Sequence, residues 1–136
     1  MTKSFNDIIQ QPGELIGVLE RLTSGDEPIV KTAAASIDLV KPIFIVGIGS
    51  SYNAAIAIST MFQSQGIPAA AVDASEMLHF FSLPQESNVI VLSRSGSSVE
   101  IVKLLEHFAE RKCTVVAVTN TDDSPLGRAA NVLVSL

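Results

Sequence analysis

The residues suited to hold a small anion lie in two short stretches. Residues 46–55 read VGIGSSYNAA and residues 91–100 read VLSRSGSSVE. Each combines glycine, which lets the backbone come close to a ligand, with serines where a helix is predicted to begin. N–H groups at a helix N-terminus carry partial positive charge, and hydroxyls donate hydrogen bonds without adding net charge. Together they can hold a phosphate with few cationic side chains. Helix capping is the competing use of such serines: Ser97 with Glu100 has capping-box spacing, and Ser50 or Ser51 can cap a helix predicted from residue 53. Capping accounts for one or two hydroxyls, and the two stretches carry more than that. The surplus makes both loops candidates for holding a phosphate, one with Gly49, Ser50 and Ser51, the other with Ser93, Arg94, Ser95, Gly96 and Ser98.

Several ligand classes drop out on motif grounds. GIGSSY has Tyr52 where a dinucleotide fingerprint needs its third glycine, and of the nearest acidic residues, Asp73 and Glu76, only Asp73 ends a predicted strand. There is no Gly-Lys-Ser/Thr for a nucleoside triphosphate, and neither an HExxH nor a Cys/His cluster for a metal. The expectation is therefore a small phosphorylated metabolite, with no metal and no cofactor.

Composition narrows the class further. The chain has 136 residues, 47% hydrophobic and 17% charged, which suits one domain with a real core. Its net charge of −5, its lack of tryptophan and its 5% aromatic content speak against nucleic acid, which needs a basic face. Mean hydropathy is high at +0.39, yet no apolar run approaches the ~20 residues of a membrane span. The opening MTKSFNDIIQ lacks the apolar core of a signal peptide, so a cytoplasmic location without membrane association is expected. The single cysteine, Cys113, is expected to be a reduced structural thiol.

These loops need a scaffold, and the apolar pattern supplies one. Residues 43–49, 69–74, 88–93, 114–120 and 132–136 are short runs rich in valine and alanine without polar alternation, as in strands buried on both faces. Helices are predicted over 53–65, closing at Gly66 and Pro68, and over 98–111, where Val99, Val102, Leu105 and Phe108 recur at helical spacing ahead of Arg111 and Lys112. Alternating strands and helices predict an α/β three-layer sandwich with a five-stranded parallel sheet, for which the flavodoxin-like order 2-1-3-4-5 is expected. In that order the strands before the two serine-rich stretches are neighbours. Their loops would face one crevice.

Residues 1–42 form an N-terminal helical segment and residues 43–136 the phosphate-binding domain. In the first segment Leu15, Val18, Leu19 and Leu22 mark one helix face. Ile29, Ala33, Ile37 and Val40 mark a second that begins after Asp26 and Pro28, with residues 24–28 as the turn. The sequence stops inside its fifth strand, where this architecture normally adds a covering helix, so the chain is expected to be a piece of a longer protein.

The strings GSSYNAA, ASE (74–76), SRSGSS and TNTDDSPLGRAAN (119–131), in this order, resemble a sugar isomerase (SIS) domain. The likeness is greatest to the first of the two such domains in glutamine–fructose-6-phosphate aminotransferases and fructosamine-phosphate deglycases. Residues 8–12, IIQQP, are similar to the segment preceding that half. The resemblance implies that Ser51, Ser93, Ser95 and Ser98 hold the phosphate of a hexose or amino-sugar phosphate. The family commonly has threonine at the position of Ser98 and glutamine at that of Arg94. Arg94 would either add charge to the phosphate site or pair with a carboxylate elsewhere. Asn120 matches an asparagine common in the family and is equally suited to forming a turn.

Aldose–ketose isomerisation needs a base between C1 and C2 and an acid for ring opening. Glu76 and His79, spaced E-x-x-H, are the candidates, and the family's second domain carries such a pair ahead of Gly-Pro. Here Phe80 and Phe81 follow, and a helix-start glutamate with a surface histidine is the competing reading. His107 is expected on a solvated helix face. The resemblance also implies a lysine and a tail beyond a second domain. The expected function is the N-terminal half of a two-domain phosphosugar isomerase or deglycase, working as a homodimer or paired with a second SIS domain. The isolated chain would then be inactive. The alternative is a sugar-phosphate-sensing module of a regulator, although residues 1–42 are short for a DNA-binding domain. A flavodoxin-like or receiver domain is disfavoured by the serine-rich loops.

Overall fold

A computed structural model of the chain describes residues 3–25 and 28–136. Five strands, β1 (Ile43–Gly47), β2 (Ala69–Asp73), β3 (Asn88–Leu92), β4 (Thr114–Thr119) and β5 (Val132–Ser135), form one parallel sheet in the order β2-β1-β3-β4-β5. This is the topology expected from the sequence. The helices are α1 (Lys3–Thr23), α2 (Ile29–Ser36), α3 (Ser50–Ser64), α4 (Ala74–Phe80), α5 (Val99–Glu110) and α6 (Pro125–Ala129).

Successive side chains of a strand point to opposite faces, and that alternation divides the core into two layers. Phe44, Val46, Val89, Val91 and Ala117 face one side, where Met77 of α4, Ile101, Leu104 and Phe108 of α5 and Leu126 of α6 cover them. Ile43, Ile45, Ile90, Val116 and Val134 face the other, under Ala33 of α2 and Ala55 of α3, with Tyr52, Ile58 and Phe62 packed alongside. The result is a helix–sheet–helix sandwich.

Three expectations need correction. The strands at the two sheet edges are not buried on both faces: Ala70 in β2 and Ser135 in β5 are exposed. Apolar composition alone does not distinguish an edge strand from a central one. Helix α2 stops at Ser36, because Ile37 takes extended backbone as its C-cap; Val40, placed on that helix face from its spacing, is 93% exposed. On α1, Val18 and Leu22 are half-buried, whereas Leu15 and Leu19 project outward at 69% and 62% exposure. Asp26, expected at the start of the second helix, lies outside the described residues. The short α6 was not anticipated, although Ser124-Pro125 signals it: the Ser124 hydroxyl accepts from Gly127 N–H at 3.1 Å, and Pro125 opens the helix.

The amino end of the sheet is tied by Asn88, which is 1% exposed. Its side chain accepts from Asp38 N–H at 3.1 Å and donates to the Asp38 carbonyl at 2.9 Å, fixing the segment that enters β1. On the α5 face, Phe108 is 1% exposed and among the largest fully buried side chains. Phe108→Ala is expected to cost about 3–5 kcal/mol through lost burial and the cavity left behind, measured as a lower urea midpoint with unchanged slope.

Candidate functional site

β1 and β3 pair directly, with Val46 opposite Val91, so the chain leaves both strands side by side at the carboxyl edge of the sheet. Gly47 ends β1. A Cβ there would sit 2.6–2.8 Å from the backbone of Ser51 and Tyr52, so its absence lets the first turn of α3 rest on the strand end. The helix begins at Ser50, three residues before the predicted start, with Gly49 as N-cap and no side-chain capping bond. Neither Ser50 nor Ser51 therefore caps α3 from outside; both ride in its first turn.

The second loop folds on itself. Ser93 N–H donates to the Val118 carbonyl at 3.1 Å, and the Ser93 hydroxyl accepts from Gly96 N–H at 3.1 Å. Ser95 Oγ accepts from Ser97 N–H at 3.3 Å, while the Ser97 hydroxyl donates back to the Ser95 carbonyl at 3.0 Å. The expected Ser97–Glu100 capping box is thus not formed. Ser98 is the N-cap of α5, yet its side chain makes no capping bond. Ser93 and Ser95 serve as acceptors within the loop, which leaves each O–H free to donate outward.

A cleft straddles the end of β3. On its α5 side is a cavity of about 220 Å³ lined by Ser51, Ser93, Arg94, Ser95 and Ser98 together with the apolar Ile48, Leu92 and Ile101. On its α3 side is one of about 320 Å³, where Ser50, Ser51, Ser93, Arg94 and Asn120 meet apolar walls from Ala54, Ile58, Val118 and Leu136. Ser51, Leu92, Ser93 and Arg94 border both, so the two recesses are halves of one site. Arg94 is the one charged side chain in either lining, and it forms no ion pair among the described residues. A larger cavity of about 530 Å³ lies at the amino end of the sheet, lined by Leu39, Val40, Pro42, Gln63 and Pro68. It lacks helix N-termini and hydroxyl clusters, and in open parallel sheets ligands collect at the carboxyl ends.

Of the predicted residues, the structure brings together Ser50, Ser51, Ser93, Arg94, Ser95 and Ser98, with Asn120 at the rim. Gly49 and Gly96 line neither cavity. Gly96 is instead a packing residue: it is buried at φ 61°, and a Cβ on it would lie 2.7 Å from Cβ of Ser124 and closer still to the hydroxyl. Glu76 and His79 are exposed on α4, which Asp73 caps by accepting from Ser75 N–H at 2.8 Å. Neither lines the cleft, and the His79 ring lies tilted at 59° beside that of Phe80, centroids 6.1 Å apart. His107 is exposed on α5.

Sequence reasoning missed two supports of the serine loop. Thr119, 0% exposed, donates from Oγ1 to the Arg94 carbonyl at 3.1 Å, and Ser124, 1% exposed, packs under Gly96. A buried threonine ending a strand beside a serine loop is the available signal. Cys113 lies at the other end of β4, where burial pushes its thiol up despite Ser87 and Arg111, so it stays protonated at neutral pH. Among the described residues no group of His, Cys, Asp and Glu can hold a metal, and no helix is long and apolar enough to cross a membrane.

Gly96→Ala should force the loop off Ser124 and impose left-handed backbone on alanine. The expected loss is about 2–4 kcal/mol in denaturant unfolding, larger than for an alanine at exposed Gly13.

Comparison with known proteins places this cleft in a family. The SIS domain family matches residues 37–135. A glutamine–fructose-6-phosphate aminotransferase of Pyrobaculum aerophilum is 29% identical over 131 residues, covering 95% of this chain and 21% of that protein. An arabinose 5-phosphate isomerase of Pseudomonas aeruginosa is 33% identical over 92 residues, covering 66% of this chain and 28% of that protein. The chain thus spans 21% to 28% of the length of these relatives. In structure, the C-terminal domain of the glucosamine-fructose-6-phosphate aminotransferase of Francisella tularensis superposes with a TM-score of 0.82 at 20% identity, covering 96% of this chain and 39% of that one. With the serine-lined cleft at the β1–β3 edge and a family match across most of its length, the chain belongs to the SIS domain family.

Proposed function

We propose that the chain binds the phosphate of a sugar phosphate in the β1–β3 cleft and forms the phosphosugar-binding half of an isomerase or deglycase. The observation that carries this reading is the convergence of Ser51, Ser93, Ser95 and Ser98 on one cavity, beside the start of α5 and with Arg94 as its only charge. The orphan N–H groups of the helix start and the free hydroxyl protons give an oxyanion several donors already aimed. Arg94 adds the full positive charge that an acidic chain otherwise withholds from the site. The α3-side recess, with Asn120 and Ser50 at its mouth, gives the sugar room to lie across the end of β3.

Chemistry on the sugar needs a base and an acid, and the lining of the cleft contains neither carboxylate nor imidazole. Glu76 and His79 could act only on a sugar reaching the surface of α4, or on one held by a partner. Pairing with a second copy or a second SIS domain supplies the missing groups in this reading. The outward residues of α1, among them Ile8, Ile9, Ile16 and Leu19, offer an apolar surface for such pairing. A cytoplasmic location fits a phosphorylated metabolite as ligand. The same lack of an acid–base pair favours a second reading, a module that senses sugar phosphate without turning it over.

Thermal-shift titration with fructose 6-phosphate, glucosamine 6-phosphate and arabinose 5-phosphate, against NAD and ATP as controls, tests the binding claim. A ligand at 100 times its dissociation constant adds about 2.7 kcal/mol to stability, a shift of several degrees for a domain of this size. Ser51→Ala and Ser93→Ala should each weaken binding about 5–10-fold, and Arg94→Gln somewhat more, while Glu76→Gln leaves affinity unchanged. A response to none of the sugar phosphates overturns the proposal.

A further inference from the structure

Resting on that reading of the cleft, we propose that Thr119 is a positioning residue: its buried hydroxyl fixes the Arg94–Ser95 peptide so that Ser95 N–H faces the anion. Thr119 ends β4, the strand on the far side of β3 from Ser51, and touches neither cavity. Its Oγ1 accepts from Thr121 N–H at 3.2 Å, so its own proton goes to the Arg94 carbonyl at 3.1 Å. Asn120 N–H donates to that same carbonyl at 3.1 Å. Two donors from the β4 end thus hold one carbonyl oxygen.

In a trans peptide the C=O and the following N–H point in opposite directions. With the Arg94 oxygen held against β4, the Ser95 N–H points away from β4 and toward the β1 side, where Ser51 stands. This N–H has no acceptor among the described residues. Ser95 itself lines the α5-side cavity. Were the peptide to flip, a carbonyl dipole would face the anion in place of a donor, and the oxyanion would meet repulsion where it now meets attraction.

The neighbouring contacts hold the rest of the loop in the same sense. Leu126 N–H donates to the Gly96 carbonyl at 3.2 Å, and Ser93 N–H reaches Val118 O. The segment 119–126 therefore works as the outer jaw of a clamp whose inner face is Ser93–Ser98. Thr119 is the member whose side chain alone supplies the bond, so it can be tested without moving the backbone.

The experiment compares Thr119→Val, which keeps the shape and loses the hydroxyl, with Thr119→Ser, which keeps the hydroxyl. Val116→Ala, a buried sheet residue away from the cleft, controls for general destabilisation. Each variant of the full chain is titrated with inorganic phosphate and with glucosamine 6-phosphate while backbone amide resonances are followed. In the parent chain Ser95 N–H should be among the amides that shift most. Thr119→Val should weaken phosphate about 5–10-fold and abolish most of the Ser95 shift, Thr119→Ser should restore both, and Val116→Ala should leave both unchanged. Unaltered affinity and Ser95 shift in Thr119→Val overturns the proposal, as does an equal loss in Val116→Ala. If the parent chain binds neither probe, the binding reading fails, and hydrogen exchange judges the positioning role separately. Faster exchange at Asn120 and Gly96, whose N–H groups are hydrogen-bonded within the loop, in Thr119→Val than in Val116→Ala supports it, and equal exchange overturns it.

Discussion

The parallel pairing of β1 with β3 is the constraint on which the site depends. It sets Val46 beside Val91 and so brings two loops, 45 residues apart in sequence, to adjacent strand ends. Had the sheet run in sequence order, β2 would separate them and Ser51 could not share a cavity with Ser93. The crossover that produces this order is made by α3, β2 and α4, and it is held by apolar burial on both faces of the central strands. Stability of the core and geometry of the cleft are therefore one problem. Any change that slides β1 against β3 moves the donors of one loop relative to those of the other.

The electrostatic design follows from the same geometry. A chain with a net charge of −5 repels anions at long range, so a phosphate held in this cleft, as proposed, must be held at short range. Hydroxyl protons and orphan N–H groups do this without adding counter-charge that other parts of the chain would neutralise. The internal bonds of the loop matter here, because Ser93 and Ser95 each accept one amide hydrogen, from Gly96 and Ser97, and their own protons stay free to donate. Arg94 contributes the single full charge, and having no carboxylate partner among the described residues it keeps that charge for the cleft.

Much of this was legible in the sequence, for physical reasons that also mark where legibility stopped. Strand order could be anticipated because apolar runs of β-branched residues alternating with amphipathic helices admit few parallel topologies. That the two serine loops would meet at one cleft was legible because the strands before them are neighbours in the expected order. Val40 and Leu19 went astray because spacing shows a face but not whether anything covers it. Gly96 carries a requirement the sequence did not show: a glycine in a serine loop suggests close approach to a ligand, and here its missing Cβ also makes room for Ser124. Glu76 and His79 share one short helix as expected, yet sharing a helix face says nothing about where that helix stands relative to β3.

Thr119 shows the deeper limit. Its contribution is a hydrogen bond to a backbone carbonyl 25 residues away, and the signal its sequence carries, a threonine at a strand end, does not say which carbonyl it meets. Ligand-facing residues can be guessed from chemistry, because the ligand demands particular groups. Supporting residues answer to the orientation of a peptide plane, which exists only once the chain is folded. In this cleft the two kinds alternate along the path from β4 to β1: Thr119 holds a carbonyl, that carbonyl turns an N–H, and the N–H lies on the side where Ser51 waits. The candidate site is thus built across three strand ends, with Val118 of β4 in its α3-side wall and Thr119 behind the serine loop.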